Sequence, residues 1–484
     1  MSSTKHNLAW NLSSNILPLV FGLALFPKII SAYDLERFGL LSLVWALIGY
    51  FSLFDLGLSR ALTQQISEMI GKNKSGSEIA QLIRTAFVVM WALGALGGLT
   101  LWVISTPLIV DFLKISGELQ AESIYAFSLL ALSIPLIVHT AALRAILEAL
   151  HLFKSASLIR MVLGIGTFLA PYLTSFISPT LTSAVMGLIV TRTLVWLLHI
   201  YAVHRSQILA FTSMRFDVVW LKPLLQFGGW MTVSNIIGPM MVYMDRFVLA
   251  SILGAAATSF YVAPYEVVTK LLLVPAAIAG VLFPLFAKQW EQDPIFSAAK
   301  LNQGICYTLI LVFPAGVLIS FFSTEWLQIW LGQAFAEKGG AIVTWLTIGI
   351  LINSVAQILF AKVQGAKRSD WTAKLHLFEL IPYLALLWAC LNLWGIAGAA
   401  FAWCMRAAID LMGLIYFSKK LNPLNWTSIK TPLFLLAAGS IALLPSLSEI
   451  SLSGRIFFVI ILLGIYCIPT FTQLRKDKIL GMFK

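Results

Sequence analysis

The sequence has little charge for its length. Only 11% of its 484 residues are Asp, Glu, Lys or Arg, whereas soluble domains carry about 25%. A soluble fold of this size could not cover its surface with so few charges, and hydrophobic residues reach 59%. These values exclude a soluble enzyme and a disordered chain. Lys and Arg outnumber Asp and Glu by 33 to 21, but this charge is too sparse for the dense basic face of a nucleic-acid-binding protein.

Several chemical motifs are also missing from the sequence. The four cysteines have no metal-ligand or redox spacing and fall in apolar stretches, so we interpret them as packing residues. No GxxxxGK[ST] run is present, so no P-loop for ATP is predicted. No nucleophile elbow occurs, and no outer loop is long enough for a catalytic domain. These absences favour a carrier over an enzyme, with no cofactor and no metal.

Long apolar runs are what the sequence does contain. Runs of about 20 apolar residues predict transmembrane helices, and they contradict the alternating pattern of a β-barrel. We predict an all-α membrane protein with fourteen spans. They are 8–30, 38–58, 83–105, 124–150, 158–177, 181–202, 225–253, 259–286, 301–322, 341–363, 375–393, 396–417, 432–447 and 456–471.

The basic residues sort by side once the spans are drawn. When residues at the span edges are counted with the adjoining side, the side that holds the N-terminus carries 23 Lys and Arg, and Arg160 and Lys362 belong to this cytoplasmic rim. The opposite side carries 5, and 5 more lie inside spans. By the positive-inside rule, both termini are cytoplasmic. The large asymmetry also supports an even number of spans, because one missed helix would scramble it.

A weak internal repeat divides the chain. Trp10-Asn11-Leu12-Ser13-Ser14-Asn15-Ile16 aligns with Trp230-Met231-Thr232-Val233-Ser234-Asn235-Ile236 at an offset of 220. At the same offset Gly39 aligns with Ser259. This division agrees with the predicted spans, which place six in each repeat. Because six spans return the chain to the same side of the membrane, the two repeats run parallel. We predict a six-helix lobe at 1–204, a cytoplasmic linker at 205–224, a second six-helix lobe at 225–418, and two further helices with a basic tail at 419–484.

Ionisable residues inside spans are costly, and each is therefore a candidate for function. The basic members are Arg144, Arg192, Arg246, Lys270 and Arg406, and the acidic members are Asp55, Glu148, Asp245, Glu266, Glu379 and Asp410. No acidic residue lies near Arg192 along its span, so the simplest interpretation is that its side chain contacts another helix. Asp55 and Glu379 lie toward cytoplasmic ends, where water can solvate them.

Three opposite-charge pairs are spaced four residues apart, on one helix face. They are Arg144–Glu148, Glu266–Lys270 and Arg406–Asp410. Mutual neutralisation is the plain interpretation of the first and the last. The Glu266–Lys270 pair lies near mid-span, where a carrier places its site. Asp245 and Arg246 are sequence neighbours and cannot face each other on a helix, so they need other partners.

Certain motifs resemble the bacterial polysaccharide flippases. The second span opens with Phe38-Gly39-Leu40-Leu41-Ser42-Leu43 and closes with Phe54-Asp55-Leu56-Gly57-Leu58-Ser59-Arg60-Ala61-Leu62-Thr63-Gln64. The later run Asp245-Arg246-Phe247, then Gly254 and Tyr261-Val262-Ala263, is similar to the same family. The resemblance implies a V-shaped pair of lobes that alternates access and passes undecaprenyl-diphosphate-linked oligosaccharide outward across the bacterial inner membrane. It also implies a cation-lined lumen.

The resemblance suggests roles for particular residues. Arg246 and Lys270 would contact the diphosphate or acidic sugars, with Asp245 and Glu266 orienting or releasing them. Lys28 would add positive charge near the outer mouth. Arg144 is a further substrate-binding candidate, and Asp55, Arg192, Glu379, Arg406 and Asp410 are structural or coupling candidates.

Two other functions remain open on the sequence. One is a multidrug or small-cation antiporter, although the first span lacks the acid that this branch often carries. The other is a membrane glycan polymerase or ligase. A polysaccharide polymerase and a chain-length regulator are candidate partners of a flippase. The driving ion, proton or sodium, stays open.

Overall fold

The fold is known from a computed structural model. It describes residues 2–52, 55, 57–113, 115–206, 208, 217–221, 229–448 and 450–479, with side chains for all of these except 2–13, 15, 218, 229–235 and 466–479. The predicted linker at 205–224 lies largely outside the described residues. So do the side chains of the repeat motif at Trp10 and Trp230, and that of Cys467.

The described chain is a succession of α-helices. In the first part they are α1 (Ser2–Phe51), α2 (Leu58–Gly71), α3 (Gly76–Pro107), α4 (Gly117–Ala149), α5 (Phe153–Ser175) and α6 (Leu181–Arg205). After the connection come α7 (Gly229–Leu253), α8 (Ala255–Val268), α9 (Leu273–Gln289), α10 (Pro294–Phe321) and α11 (Ser323–Leu331). The last are α12 (Gln333–Gly365), α13 (Ser369–Leu421), α14 (Pro423–Leu443) and α15 (Leu452–Ile479).

The prediction of an all-α membrane protein is confirmed. Within the described ranges, eleven helices are long and apolar enough to cross a membrane. Two of them hold two predicted spans each, because α1 is kinked at Asp34 and α13 at Gly395. The fourteenth span falls in α15, whose described apolar part is the shorter helix Leu452–Ile465.

Helix lengths reveal the six-helix repeat more clearly than the residues do. Helices α4 and α12 both have 33 residues, and their bounds differ by 216 at each end. The same offset takes the start of α5 to the start of α13, and the end of α6 to the end of α13. The second repeat therefore ends at Leu421, and α14 and α15 follow it as additional helices.

Unusual backbone conformations repeat as well. Asp34 and Gly254 both have positive φ, 59° and 88°, and are 220 residues apart. His151 and Lys367, which follow α4 and α12, have φ of 56° and 59° and are 216 apart. Positive φ is uncommon for residues other than glycine. Its recurrence at equivalent turns supports a common fold for the two repeats.

The kink at Asp34 is stabilised by its own side chain. Asp34 Oδ1 accepts a hydrogen bond from the Arg37 backbone N–H at 2.8 Å, and Oδ2 pairs with Arg37 Nη1 at 2.8 Å. Arg37 Nη2 also pairs with Glu122 of α4 at 3.0 Å. An aspartate can visit the left-handed region because its short polar side chain bonds locally. This network fixes the turn between the first two spans.

By internal packing the chain divides into two compact units, Met1–Ser259 and Phe260–Lys484. In the first unit α3 packs on α4 and α1 on α5, with α6 against α4 and α5. In the second unit α12 is central and packs on α9, α10, α11 and α13. The first unit also contains α7. The lobe bounds given above stay a prediction.

Candidate functional site

Both repeats have a break in their second span. In the first repeat, α1 ends at Phe51 and α2 begins only at Leu58. In the second, a 3₁₀ turn at Thr269–Leu272 separates α8 from α9. Interrupted helices at corresponding positions of two repeats are the usual location of a carrier's binding site, because they free backbone polar groups at membrane depth. Functional residues are therefore expected near these two breaks.

Asp55 lies in the first break and has a structural role. Its side chain is buried and accepts hydrogen bonds from the backbone N–H groups of Gly57 and Ser59, at 3.0 and 3.1 Å. Gly57 has φ of 77°, a conformation that glycine adopts at low cost. Asp55 therefore satisfies free donors at the start of α2. Asp55 was expected to be solvated by water at the membrane interface, but its side chain is only 8% exposed.

The Glu266–Lys270 pair lies at the second break and is well formed. Lys270 Nζ is 3.0 Å from Glu266 Oε2, and both side chains are partly exposed. Lys270 is on the 3₁₀ turn, while Tyr265 and Tyr261 are buried five and nine residues before it, with ring centroids 5.6 Å apart. The pair is accessible, but the lysine charge is already compensated by the glutamate.

Asp245 and Arg246 are both buried, in α7 of the first unit. Asp245 Oδ1 accepts a hydrogen bond from the Arg246 backbone N–H at 2.7 Å. The Arg246 guanidinium lies over the ring of Tyr243, 5.7 Å from its centroid. Arg246 is therefore packed in the protein, at 3% exposure, rather than presented to a ligand. Lys270 belongs to the second unit.

Lys28 is exposed and has an aromatic neighbour. Its Nζ lies 5.4 Å from the centroid of the Tyr172 ring, which belongs to α5. A cation over an aromatic face gains about 0.5–1 kcal/mol at an exposed site. This geometry is compatible with the predicted role of Lys28 as a positive charge at one end of the lumen, which stays a prediction.

A concentration of cations lies elsewhere, in a cavity of the first unit. Its polar lining includes Arg144 of α4, Arg160 of α5, and Arg192 and His199 of α6. Ser52, the first residue of the break after α1, also lines it. The free volume is about 70 Å³. Ligand pockets measure about 300–1,000 Å³, so this cavity suits one phosphate group rather than a whole glycolipid.

The cavity has an excess of positive charge. Arg144 Nε and Arg160 Nη2 share a single acidic oxygen, Glu148 Oε1, at 3.8 and 3.7 Å. Arg192 is partly buried and forms no ion pair with any described residue. Among the ion pairs described in the cavity, one carboxylate thus serves two guanidinium groups, and Arg192 adds a third. Guanidinium groups bind phosphate oxygens through charge-assisted hydrogen bonds, often in pairs. We call this group, Arg144, Arg160, Arg192 and His199, the arginine cavity.

The sequence pointed to only part of the arginine cavity. Arg144 and Arg192 were among the predicted candidates, but Arg160 was counted with the cytoplasmic rim. His199 was not considered, although it is buried and its Nδ1 lies 2.9 Å from the carbonyl oxygen of Val195. A helical-wheel comparison of the fifth and sixth spans would have placed Arg160, Arg192 and His199 on apolar helices without acidic neighbours.

The three predicted ion pairs differ in quality according to their direction along the helix. Glu266–Lys270 has the acid first and is closed at 3.0 Å, whereas Arg144–Glu148 has the base first and is loose at 3.8 Å. This order agrees with the preference for an acid N-terminal to a base four residues later.

The predicted neutralisation of Arg406 by Asp410 stays a prediction, without a close ion pair to support it. This pair has the base first, and the described side chains show no ion pair between them. The Arg406 guanidinium instead lies 5.7 Å from the ring centroids of both Tyr383 and Trp403. Asp410 Oδ1 lies 3.8 Å from His376 Nε2.

One buried cation was missed entirely. Lys362 was counted with the cytoplasmic rim, but α12 continues to Gly365 and the Lys362 side chain is fully buried. Its Nζ donates to Ser297 Oγ and lies 5.0 Å from the centroid of the Phe286 ring. No acidic partner for it occurs in the described part of the chain. A buried charge without a carboxylate reduces stability.

We therefore expect Lys362→Met to stabilise the protein by about 1–3 kcal/mol, since methionine fills a similar volume without a charge. The apparent melting temperature of the purified protein in detergent would measure this gain. Lys288→Met is the control, because Lys288 is exposed near the same end of the neighbouring helix α9. A lower melting temperature for Lys362→Met alone would show that the charge supports the fold.

Comparisons with known proteins agree with this architecture. The profile of a family described as polysaccharide biosynthesis proteins matches residues 34–339. A Shigella flexneri protein named as an O-antigen transporter is 32% identical over 406 residues, which cover 84% of this chain and 95% of that protein.

Two solved structures share the fold. An inward-facing multidrug transporter of the MATE family has a TM-score of 0.71 at 13% identity, covering 86% of this chain and 99% of that one. The lipid II flippase MurJ, in an inward closed conformation, has a TM-score of 0.70 at 16% identity, covering 96% and 99%.

Proposed function

Because the chain belongs to the polysaccharide biosynthesis protein family, we propose that it is a flippase for lipid-linked oligosaccharide. It moves undecaprenyl-diphosphate-linked repeat units, such as O-antigen units, from the cytoplasmic to the outer leaflet of the bacterial inner membrane. Both termini face the cytoplasm, as the charge asymmetry predicts. The chain acts as a carrier and not as an enzyme. The observation that carries the proposal is the arginine cavity, which provides an anion site next to a broken span.

The arginine cavity matches the diphosphate of such a lipid. A diphosphate presents several negatively charged oxygens, and Arg144, Arg160 and Arg192 supply planar donors from three different helices. Arg192 has no ion pair among the described groups, so binding an anion there breaks no existing pair. Glu148 competes for the other two arginines and provides a means of release. The small volume holds one phosphate group of the diphosphate and leaves the sugars outside.

An apolar groove in the same unit supports the lipid part of the substrate. It is formed by α1, α3 and α7, has a free volume of about 400 Å³, and is lined largely by apolar side chains with Tyr50 and Tyr243. The Arg246 guanidinium lies on the Tyr243 ring. A polyprenyl chain would bury its apolar surface in this groove, which gains about 25 cal/mol per Å². Arg246 thus acts through Tyr243, and Asp245 positions it.

A cationic cargo fits this site poorly, because the arginine cavity would repel it. The multidrug antiporter therefore becomes the alternative, supported only by the shared fold. Translocation by alternating access would use the two repeats as the moving parts. The Glu266–Lys270 pair and Lys28 are proposed as secondary contacts for acidic sugars. A polysaccharide polymerase and a chain-length regulator are proposed as partners in the same membrane.

Transport by the purified protein tests the proposal. Proteoliposomes would contain an undecaprenyl-diphosphate oligosaccharide with a fluorescent label on the sugar, and a membrane-impermeant quencher would be added outside. We expect the inner-leaflet pool to become quenchable with the protein, and to stay protected in protein-free vesicles. The matched probe is the same oligosaccharide on uncharged polyprenol, which should move more slowly. Equal rates for both probes, or transport of a cationic dye alone, would overturn the assignment. A change in glycan chain length would indicate a polymerase.

A further inference from the structure

A second buried polar cluster lies in the other unit. The kink at Gly395 folds α13 back on itself, so that His376 and Glu379 on its first half meet Arg406 and Asp410 on its second half. Glu379 is 2% exposed, and Arg406 and Asp410 are 7% exposed each. The contact that crosses the hairpin joins His376 Nε2 to Asp410 Oδ1 at 3.8 Å. We call these four residues the hairpin cluster.

Glu379 is the unusual member of the hairpin cluster. Both of its carboxyl oxygens are buried, and neither has a hydrogen-bond partner in the parts of the chain that the structure describes. A carboxylate taken out of water without hydrogen bonds is very unstable, and such groups neutralise instead. Asp410 Oδ1 is also buried without a hydrogen bond. The cluster therefore has two buried carboxyl groups and one arginine.

No other charge reaches the hairpin cluster from the neighbouring helices. The charged residues of α12 have other contacts, since Glu337 pairs with Gln333, Lys338 lies over Phe260 and Lys362 bonds to Ser297. The one charged residue of α14, Lys430, lies over Trp426. From α12, the ring of Phe360 stacks on His376 with centroids 6.0 Å apart. Among the described residues, the charges that act on Glu379 are those of Asp410 and Arg406, both on α13.

The position of the hairpin cluster in the fold is the second observation. The offset of 216 that relates α4–α6 to α12–α13 takes Arg160 to His376 and Leu163 to Glu379. Arg160 and Leu163 line the arginine cavity. The hairpin cluster therefore lies at the place in the second repeat that corresponds to part of the arginine cavity in the first.

We propose that Glu379 and Asp410 form a proton-binding site that couples transport to the proton gradient. A proton from water on the outer side binds the Glu379 carboxylate and leaves the carboxylic acid to water on the cytoplasmic side, so one positive charge enters per cycle. Asp410 and His376 are the relay toward water, and Arg406 balances the remaining carboxylate. Coupling rests on the proposed function, whereas proton binding does not.

A proton fits the hairpin cluster better than a sodium ion. Hard cations need a shell of about six or more oxygen ligands, and here a guanidinium group and an imidazole occupy part of the surroundings. A bound sodium ion would also lie close to the positive charge of Arg406. A proton needs only one carboxyl oxygen and removes a buried negative charge.

The first experiment measures proton binding without any substrate. Infrared difference spectra of the full-length protein in lipid nanodiscs, recorded between two pH values, should show the carboxylic acid band of a buried group. We expect the band to be lost in Glu379→Gln and kept in Asp370→Asn. Asp370 is the matched control, an acid of the same helix that pairs with Arg368 at 2.9 Å. Gln has the shape of the protonated acid, so this variant should fold. An unchanged band in Glu379→Gln would overturn the proposal.

The second experiment measures coupling in the proteoliposome assay described above. A gradient of one pH unit should change the steady-state distribution of the labelled lipid about tenfold for one coupled proton. We expect Glu379→Gln and Asp410→Asn to lose this gradient effect and to keep downhill exchange. If wild-type protein moves no lipid, the proposed function fails while the infrared result stands. If a sodium gradient drives the wild-type protein and a pH gradient does not, the proton assignment is wrong.

Discussion

Arg192→Gln is expected to reduce lipid-linked oligosaccharide transport by about tenfold to a hundredfold, because a hydrogen bond between charged groups contributes about 1.5–3 kcal/mol. The reason is specific to this arginine. Arg144 and Arg160 share Glu148 in the absence of substrate, whereas Arg192 forms no ion pair within the described residues. Its charge is therefore fully available to a diphosphate. The flipping rate in proteoliposomes and the amount of surface polysaccharide in a flippase-null strain both measure the effect.

Arg205→Gln is the control for this substitution. Arg205 lies in the last turn of the same helix and is exposed, so its loss should leave transport near the wild-type rate. Arg160→Gln should have a smaller effect than Arg192→Gln, since the Arg160 charge is already partly compensated by Glu148. Wild-type transport by Arg192→Gln, together with loss of transport in Arg246→Ala or Lys270→Ala, would move the substrate site to the two residues favoured by the sequence.

The fold could be predicted from the sequence because the membrane imposes it. Without water in the bilayer core, each apolar run must form a helix that satisfies its own backbone, so the spans follow from hydropathy. The kinks are less visible. The glycine at position 395 is a residue type that indicates a possible kink. Asp34 gives no such indication, because its positive φ depends on contacts with Arg37 that the sequence does not reveal.

The site was only partly predictable, for a physical reason. Hydropathy places a residue along the membrane normal but says little about what surrounds its side chain. Arg160 and Lys362 both lie close to predicted span ends and were assigned to the rim. The structure turns the first into the arginine cavity and buries the second completely. Conversely, Arg246 is at membrane depth as predicted, yet it packs on Tyr243.

Equivalent parts of the two repeats are in close contact within the first unit. A Cβ atom added to Gly39 would lie 1.9 Å from the carbonyl oxygen of Ala255. At the offset of 220, the corresponding contact joins Ser259 and Leu35, and there Ser259 Oγ donates to the Leu35 carbonyl at 2.6 Å. The same two positions thus meet twice with their roles exchanged. This reciprocity is what a twofold relation between parallel repeats requires.

Gly39→Ala should therefore destabilise the protein strongly. The atom that the new methyl group meets belongs to the backbone and cannot rotate away, so the helices must separate, at a cost of about 1–3 kcal/mol or more. Gly280→Ala is the matched control. Nothing lies within 4 Å of its added Cβ, and alanine in a helix should stabilise it by about 0.5–1 kcal/mol. Melting temperatures in detergent should move in opposite directions for the two variants. If Gly39→Ala melts at or above the wild-type temperature, the helices are not in contact at Gly39 and the twofold contact does not exist.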